Sequence, residues 1–459
     1  MGGLRTALTI GVQALDVSEA ALDTTSNNIA NADTPGYTDE TVDISANPTT
    51  LSGGDIVGGG ATLDQVNSSR DELLNQQIQQ QTSLEGSANT ESAALQQVQT
   101  YFGNTGTDIA SQLASLSSSL AALSASPSSE SAQQSVLAAG QSLAQAFNTT
   151  AAGLTGAQSQ ADGQVTSSVS QINSLTQQIA QLNGELAQAT ASGQNGGVLE
   201  DQRDQVVQQL SSLVGVSVSQ SSQGEVITTA NGTPLVMGSQ SFSLQSVTGS
   251  NGFQQVEDAN GNNITGDLQG GQLGGAIQVR DQTIPGYLSQ LNTLATQFAG
   301  SFNDAQALGT DSNGNAGQPF FSLPASGQDA AAGISVALTS PSQIAISSDG
   351  SAGSNGNVAN LSAVLTSPLP SGQTPANAYA GLVFQVGNDA SSAGTESTAI
   401  GQNLLQLTNQ QGSVSAVNID EETANLIRYQ TAYEAGARIV STIQQLSTDT
   451  LDMGSNQDY

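Results

Sequence analysis

Two short segments carry oxygen-rich residues at the spacing of a calcium loop: Asp258-Ala259-Asn260-Gly261-Asn262 and Asp311-Ser312-Asn313-Gly314-Asn315. Alternating Asp and Asn oxygens can converge on a hard cation. Neither loop has Gly at its sixth position or Glu at its twelfth, so both are read as hairpin or loop tips. The sequence has no His and no Cys. Ser-His-Asp catalysis, Cys-His catalysis and the usual zinc sites are therefore excluded. With 38 acidic residues many accidental carboxylate pairs exist, but nothing singles out two for glycosidase-type acid–base work. No catalytic residue, cofactor or metal site is expected.

Only six basic residues balance those acids: Arg5, Arg70, Arg203, Arg280, Arg428 and Arg438, for a net charge of -32. Phosphate backbones and anionic membranes need a basic stripe that this chain lacks, so neither is an expected partner. The acidity reads as solubility and mutual repulsion of free monomers. The absence of Cys fits an exported chain that avoids stray disulfides, and it equally fits a low-complexity composition. Apolar content is 36% and aromatic content 3% over 459 residues. At roughly 100–200 residues per domain, two to four domains are expected. So thin an apolar supply suits long helices with narrow seams, or copies that bury surface against each other. No apolar run reaches the roughly 20 residues of a membrane span. Ala7–Leu15 could pass for a signal-peptide core, but it lacks a small-residue cleavage site and its periodicity runs on to Ile29.

The chain ends hold the clearest elements. Leu8, Leu15, Leu22 and Ile29 lie seven apart, with Ala7, Ala14 and Ala21 on the adjacent line and Leu4 on the same face. That stride predicts a coiled-coil helix, and the small Ala row lets a partner approach. The helix breaks before Pro35-Gly36, which has type II turn chemistry. At the other end Ile419, Leu426, Tyr433 and Val440 are again seven apart, widened by Tyr429, Ile439, Ile443 and Leu446. Asn418 is the expected N-cap, with Glu421 three residues on, and Asp420, Glu421 and Glu422 complement the helix dipole. The simplest arrangement pairs the first helix with the last. Two ordinary surface helices on one globular body remain an alternative on periodicity alone.

Between the ends, helical seams run through Ile109–Leu123, Val165–Leu186, Leu199–Leu213, Ile284–Phe302 and Ile400–Leu407, with a turn at Ser192–Gly197. These read as long helices side by side. Residues 214–283 change pattern: Val216-Ser217-Val218, Val226-Ile227-Thr228, Leu235-Val236-Met237 and Phe242-Ser243-Leu244 predict short strands of an inserted β-domain. Residues 309–398, rich in Gly, Ser, Asn and Pro, predict loops and a few strands, including Ile334–Leu338.

The segment Thr24–Tyr37, with Asn28, Asn31, Pro35, Gly36 and Tyr37, closely resembles the N-terminal signature of flagellar rod, hook and hook-associated proteins. Val417–Arg438 resembles their C-terminal signature. Within that group, Leu199-Glu200-Asp201-Gln202-Arg203-Asp204 is similar to a motif of the hook-associated protein 1 family, for which Asp201, Arg203 and Asp204 are the candidate residues. Gly271-Gln272-Leu273-Gly274-Gly275, Gly309-Thr310-Asp311 and Phe320-Phe321 share that likeness. The chain departs from the pattern at Asp39-Glu40, where the family usually carries Arg-Gln, and at Gln133-Gln134, near a usual Arg. Both departures put local ion pairs in doubt.

The resemblance implies a mainly α fold with an inserted β-rich domain. Residues 1–66 and 413–459 would form a terminal coiled-coil domain. Residues 67–213 and 284–412 would form a helical middle, and 214–283 an outer β-domain. It implies a structural role between hook and filament, in an extracellular flagellum, after type III export without a cleaved signal. Expected partners are further copies of the chain, hook protein, the adjacent filament-side junction protein, and a cytosolic chaperone on the C-terminal helix. Another axial subunit of hook or distal rod, or an axial protein carrying a peptidoglycan hydrolase domain, is the alternative. The β-region of about 70 residues is small for a catalytic domain. A Ser/Asn-rich adhesin finds no fixed-period repeat in its favour.

Overall fold

A computed structural model describes every residue except 1, 53–54, 104–105, 222–223, 326–328, 352 and 456–459. The helices are α1 (Gly2–Asn31), α2 (Glu72–Thr100), α3 (Ile109–Ala125), α4 (Glu130–Ala191), α5 (Gly197–Leu213), α6 (Gly271–Gln278), α7 (Ile284–Ala307), α8 (Ala330–Gly333), α9 (Gly356–Thr366), α10 (Pro375–Ser415) and α11 (Ile419–Ser455). The strands are β1 (Glu40–Ala46), β2 (Thr50–Ser52), β3 (Asp55–Val57), β4 (Ala61–Ser68), β5 (Val216–Ser221), β6 (Gly224–Thr229), β7 (Pro234–Met237), β8 (Gln240–Ser241), β9 (Gln245–Thr248), β10 (Gln254–Glu257), β11 (Phe321–Ser322) and β12 (Ser335–Val336).

The fold is mainly helical, with small sheets and with α1 against α11. Helix α4 is its spine. It runs unbroken for 62 residues from the N-cap Ser129, whose side chain accepts the Ala132 N–H. Its first half joins α3, α7, α9 and α10 in one apolar core, centred on Phe298, Phe302, Phe320 and Phe321 with ring centroids 4.8–5.8 Å apart. Its second half, with α5 and α6, backs a second core under the β-region.

In that region β5-β6-β7-β8 form an antiparallel sheet, and β9 and β10 a separate hairpin. Phe242-Ser243-Leu244 does not extend β8. The Leu244 N–H instead donates to Asn173 Oδ1 of α4 at 2.8 Å, so a helix side chain takes the place of a neighbouring strand.

Residues 271–283, expected within the β-domain, are helical and largely buried, and two further regions differ from the sequence reading. Residues 309–398 include α9 and the first half of α10, with little strand: β12 covers only Ser335–Val336 of the expected Ile334–Leu338. Helix α10 starts at Pro375 because Thr374 caps it and Pro fits the first turn. Its residues Tyr379, Leu382, Val386, Ala390 and Ala393 make a buried line at helical spacing. The last difference is an antiparallel hairpin of β1 and β4 between α1 and α2, from Glu40↔Ser68 to Ala46↔Ala61, with β2 and β3 also paired antiparallel.

Candidate functional site

The terminal helices lie antiparallel. A Cβ at Gly11 would sit 2.9 Å from Val440 Cγ2, and one at Gly436 would sit 3.2 Å from Leu15 Cδ2. Further along, Asn28 meets Glu422. The residues of α1 most deeply covered are Gly11, Val17, Ser18, Ala21, Thr25 and Asn28. Small residues there let the two backbones approach. The line of Leu8, Leu15, Leu22 and Ile29 runs along the margin of the contact and is half-buried. On α11 the covered residues are Glu422, Gly436 and Ile443, flanked by half-buried Leu426 and Val440. Ile419 and Tyr433, expected in this seam, are exposed in the single chain. The closest approach of α1 to α11 runs through small residues, one line over from the seven-residue stride.

Just beyond α1 the chain turns over Thr34–Tyr37. Tyr37 N–H donates to Thr34 C=O at 3.1 Å, and Gly36 has φ 78°, a conformation that suits Gly. The turn points its polar groups back at Asn28, which is fully buried. Asn28 Oδ1 accepts from the Tyr37 hydroxyl at 2.8 Å and from Glu40 N–H at 3.1 Å. Asn28 Nδ2 faces Glu40 C=O at 2.8 Å, Asp39 Oδ1 at 2.8 Å and Glu422 Oε2 at 3.3 Å. One side chain thus ties α1, β1 and α11 together. Asn31 bonds within its own turn, to Asn27 C=O at 3.0 Å and Asn27 Oδ1 at 2.9 Å. Burial, then Glu422, Glu421 and Glu40, push the Asp39 carboxyl up to about 6. Burial foremost raises Tyr37 and Glu40 as well.

The same turn docks on α5. Asp201 Oδ2 accepts Thr38 N–H at 2.9 Å, and the Gln205 amide donates to Pro35 C=O. Asn195, before α5, donates to Glu40 Oε1 at 2.9 Å. The turn signature and the Asp201-Gln202-Arg203-Asp204 segment, far apart in sequence, are therefore two sides of one joint.

Its cation is Arg70, which the sequence reading did not single out. The Arg70 guanidinium reaches Glu200, Asp201 Oδ1 at 2.6 Å and Asp204 Oδ2 at 3.1 Å. A planar fork of donors can meet several carboxylates at once. Arg203 turns the other way, to Glu225 of β6 at 2.9 Å and Asp204 at 3.6 Å, which carries the network into the β-region. Burial pushes the Glu225 carboxyl up, and Arg203 pulls it back. On the far side, Asp39 N–H donates to Ser415 C=O at 2.8 Å, and the Ser415 hydroxyl donates to Ser69 C=O at 2.8 Å. The end of α10 is thereby fixed to the same joint.

Arg280 forms a second such joint. It is buried in a π-helical turn, Val279–Thr283, and bonds Asp162 of α4 and Asp281, each at 2.7 Å, and Gln254 C=O at 2.6 Å. Three of the six arginines thus sit at internal joints. The other three, Arg5, Arg428 and Arg438, are exposed on the terminal helices.

The two calcium-like loops are self-capped. Asp258 Oδ1 accepts N–H groups of Asn260 at 2.8 Å and Asn262 at 2.9 Å, and Asp311 Oδ1 accepts those of Asn313 and Asn315, both at 2.8 Å. N–H donors aimed at these oxygens hold both carboxyls below the usual carboxylate range. Among the described residues no group of three acidic side chains could hold a metal ion, and no helix is long and apolar enough to cross a membrane.

Residues 8–38 match the family model of the flagella basal body rod protein, and residues 410–453 that of the flagellar basal body rod FlgEFG protein C-terminal region. A chain whose two ends carry these models and pack on each other is a flagellar axial protein. Residues 95–321 match the flagellar hook-associated protein FlgK helical domain. Flagellar hook-associated protein 1 of Bacillus subtilis is 31% identical over 97% of this chain and 96% of its own length. The Salmonella typhimurium protein of that name is 27% identical over 94% and 97%. The Escherichia coli one is 28% identical, its match spanning 53% of this chain and 62% of the relative. The flagellar hook junction protein FlgK from Burkholderia pseudomallei has the same fold, with a TM-score of 0.67 at 20% identity over 74% of this chain and all of that one. The chain belongs to the flagellar hook-associated protein 1 family, a family of structural proteins of the bacterial flagellum.

Proposed function

We propose that the chain is a junction subunit that joins hook to filament by helical self-assembly through its paired terminal helices. One observation carries this reading. Ile439, Leu446 and Met453 of α11 lie seven residues apart, form a stripe beside buried Ile443, and are exposed in the single chain. Leu451 and Ile427 add further apolar surface on the same helix. Helix α1 covers only one side of α11. An apolar stripe at coiled-coil spacing beside an existing seam is what a neighbouring copy would cover.

On this reading further copies of the chain, hook protein and the filament-side junction protein share the terminal domain, formed by residues 1–66 and 413–459. Before export a chaperone would shield the same α11 stripe, and the chain would leave through the type III apparatus. Residues 67–213 and 284–412, joined by buried α6, form the body, and the strands within 214–283 face outward. Asp201, Arg203 and Asp204 serve here as positioning residues that fix the terminal pair to the body.

Leu15→Asp or Leu426→Asp places a charge at the α1–α11 seam. Each should block incorporation at the hook–filament junction while circular dichroism and urea melting of the body stay close to wild type. Filaments that grow normally from either variant would overturn the proposal.

A further inference from the structure

The buried amide of Asn28 is surrounded by more acceptors than it can serve. Its orientation is set, because Oδ1 receives two donors, the Tyr37 hydroxyl and the Glu40 N–H. Nδ2 then offers two hydrogens. Three acceptors lie in reach: the Glu40 carbonyl at 2.8 Å, Asp39 Oδ1 at 2.8 Å and Glu422 Oε2 at 3.3 Å. Two of the three belong to carboxyl groups from opposite ends of the chain. With both ionised, two negative charges would flank one amide, and one acceptor would lack a hydrogen. We propose that the Asp39 carboxyl takes up a proton where it and Glu422 converge on the Asn28 amide, forming a proton-dependent latch that closes the C-terminal helix onto the turn after α1.

The surroundings favour a proton over other counter-charges. From the turn comes Tyr37, from β1 Glu40, and from α11 Glu421 and Asn425, whose amide donates to the other Glu422 oxygen at 3.2 Å. Ser69 gives Asp39 one hydrogen bond. Asp201 of α5 adds negative charge nearby. The nearest cation, Arg70, is committed to Glu200, Asp201 and Asp204. Among the described residues no Arg forms a salt bridge with Asp39 or Glu422, and no acidic triplet is arranged for a metal ion.

The direction of the pH effect follows. Burial and the neighbouring acids raise the folded Asp39 carboxyl from 3.8 to about 6. The closed joint binds a proton that the opened joint releases. The latch is therefore strongest below the ordinary carboxylate range and weakens as pH rises through about 6.

Hydrogen exchange on the full-length chain at about pH 5 and about pH 7.5, corrected for intrinsic rates, reads opening at residues 37–41 and 419–425. Opening in the wild type should be rarer at the lower pH by roughly 3- to 10-fold, tenfold being the limit before solvent screening at the partly exposed Asp39 is allowed for. Asp39→Asn supplies the missing hydrogen as an amide, so its protection should be nearly equal at both pH values. Glu422→Gln removes the charge that, after burial, most raises Asp39, so its pH dependence should shrink. Carboxyl carbon chemical shifts of wild-type Asp39 give a readout that needs no variant. A midpoint near 6 supports the latch, and a midpoint near 4 overturns it. A wild type with pH-independent protection, or an Asp39→Asn variant that keeps the pH dependence, would also overturn it.

Discussion

Arg70→Met removes the cation of the main joint while keeping most of the apolar stem. The Arg70 side chain is 14% exposed, Asp201 8%, Asp204 24% and Glu200 39%. Breaking a buried pair from one side costs about 3–5 kcal/mol, because the partners stay behind unpaired. Glu200 and Asp204 can rehydrate, which lowers that figure, whereas Asp201 cannot. A local cost of about 2–3 kcal/mol is expected. The reporter is the Thr38 N–H, which donates to Asp201 Oδ2. Its hydrogen exchange should speed up by on the order of 30–100-fold, since each 1.4 kcal/mol is tenfold. Arg70→Lys should recover only part, because an ammonium lacks the fork that reaches three carboxylates. In a double-mutant cycle with Asp201→Asn the coupling energy should exceed about 1 kcal/mol. A cost below about 0.5 kcal/mol with no coupling would refute the view that this guanidinium holds the terminal pair to the body.

Two further substitutions probe close backbone approach. Gly271 has φ 61°, and a Cβ there would lie 2.2 Å from Leu213 C and Val214 N, so Gly271→Ala should cost at least about 2 kcal/mol in urea unfolding of the body. A neutral result would contradict the described packing of α6 on the end of α5. Gly436→Val should loosen α1 from α11 by about 1–3 kcal/mol, since a Cβ there already meets Leu15 at 3.2 Å, and Leu15→Ala in the same chain should restore part of the loss. Exchange protection of residues 8–22 measures both effects, and equal protection in all three chains would contradict the seam.

The terminal helices and the long middle helices are legible because apolar spacing recurs over many turns. The strand region at 216–237 is legible because short β-branched runs alternate with Gly and Asn turns. The first half of α10 is not, because Gly, Ser and Asn dilute the line of Tyr379, Leu382 and Val386. The β1–β4 hairpin left a signal that could have been used: Val42 and Ile44 alternate with polar residues. Arg70 escaped notice because its partners lie about 130 residues away, at Glu200, Asp201 and Asp204. The scarcity of cations was the available clue. In so acidic a chain, an Arg outside the terminal helices has many carboxylates to meet, and Arg70, Arg203 and Arg280 each do. Asn28 was recognisable from its signature, but its role rests on Glu422, 394 residues on, which local pattern cannot show.

On the proposed assembly, α11 carries an apolar stripe reserved for a neighbouring copy. The chain has no Cys, so Leu446→Cys introduces a single thiol on that stripe. Its rate of reaction with a maleimide, compared between the free chain and flagella that contain it, tests the claim directly. Fast labelling of the free chain and strong protection in the assembled flagellum is the predicted result. Labelling equally fast in both states would contradict it.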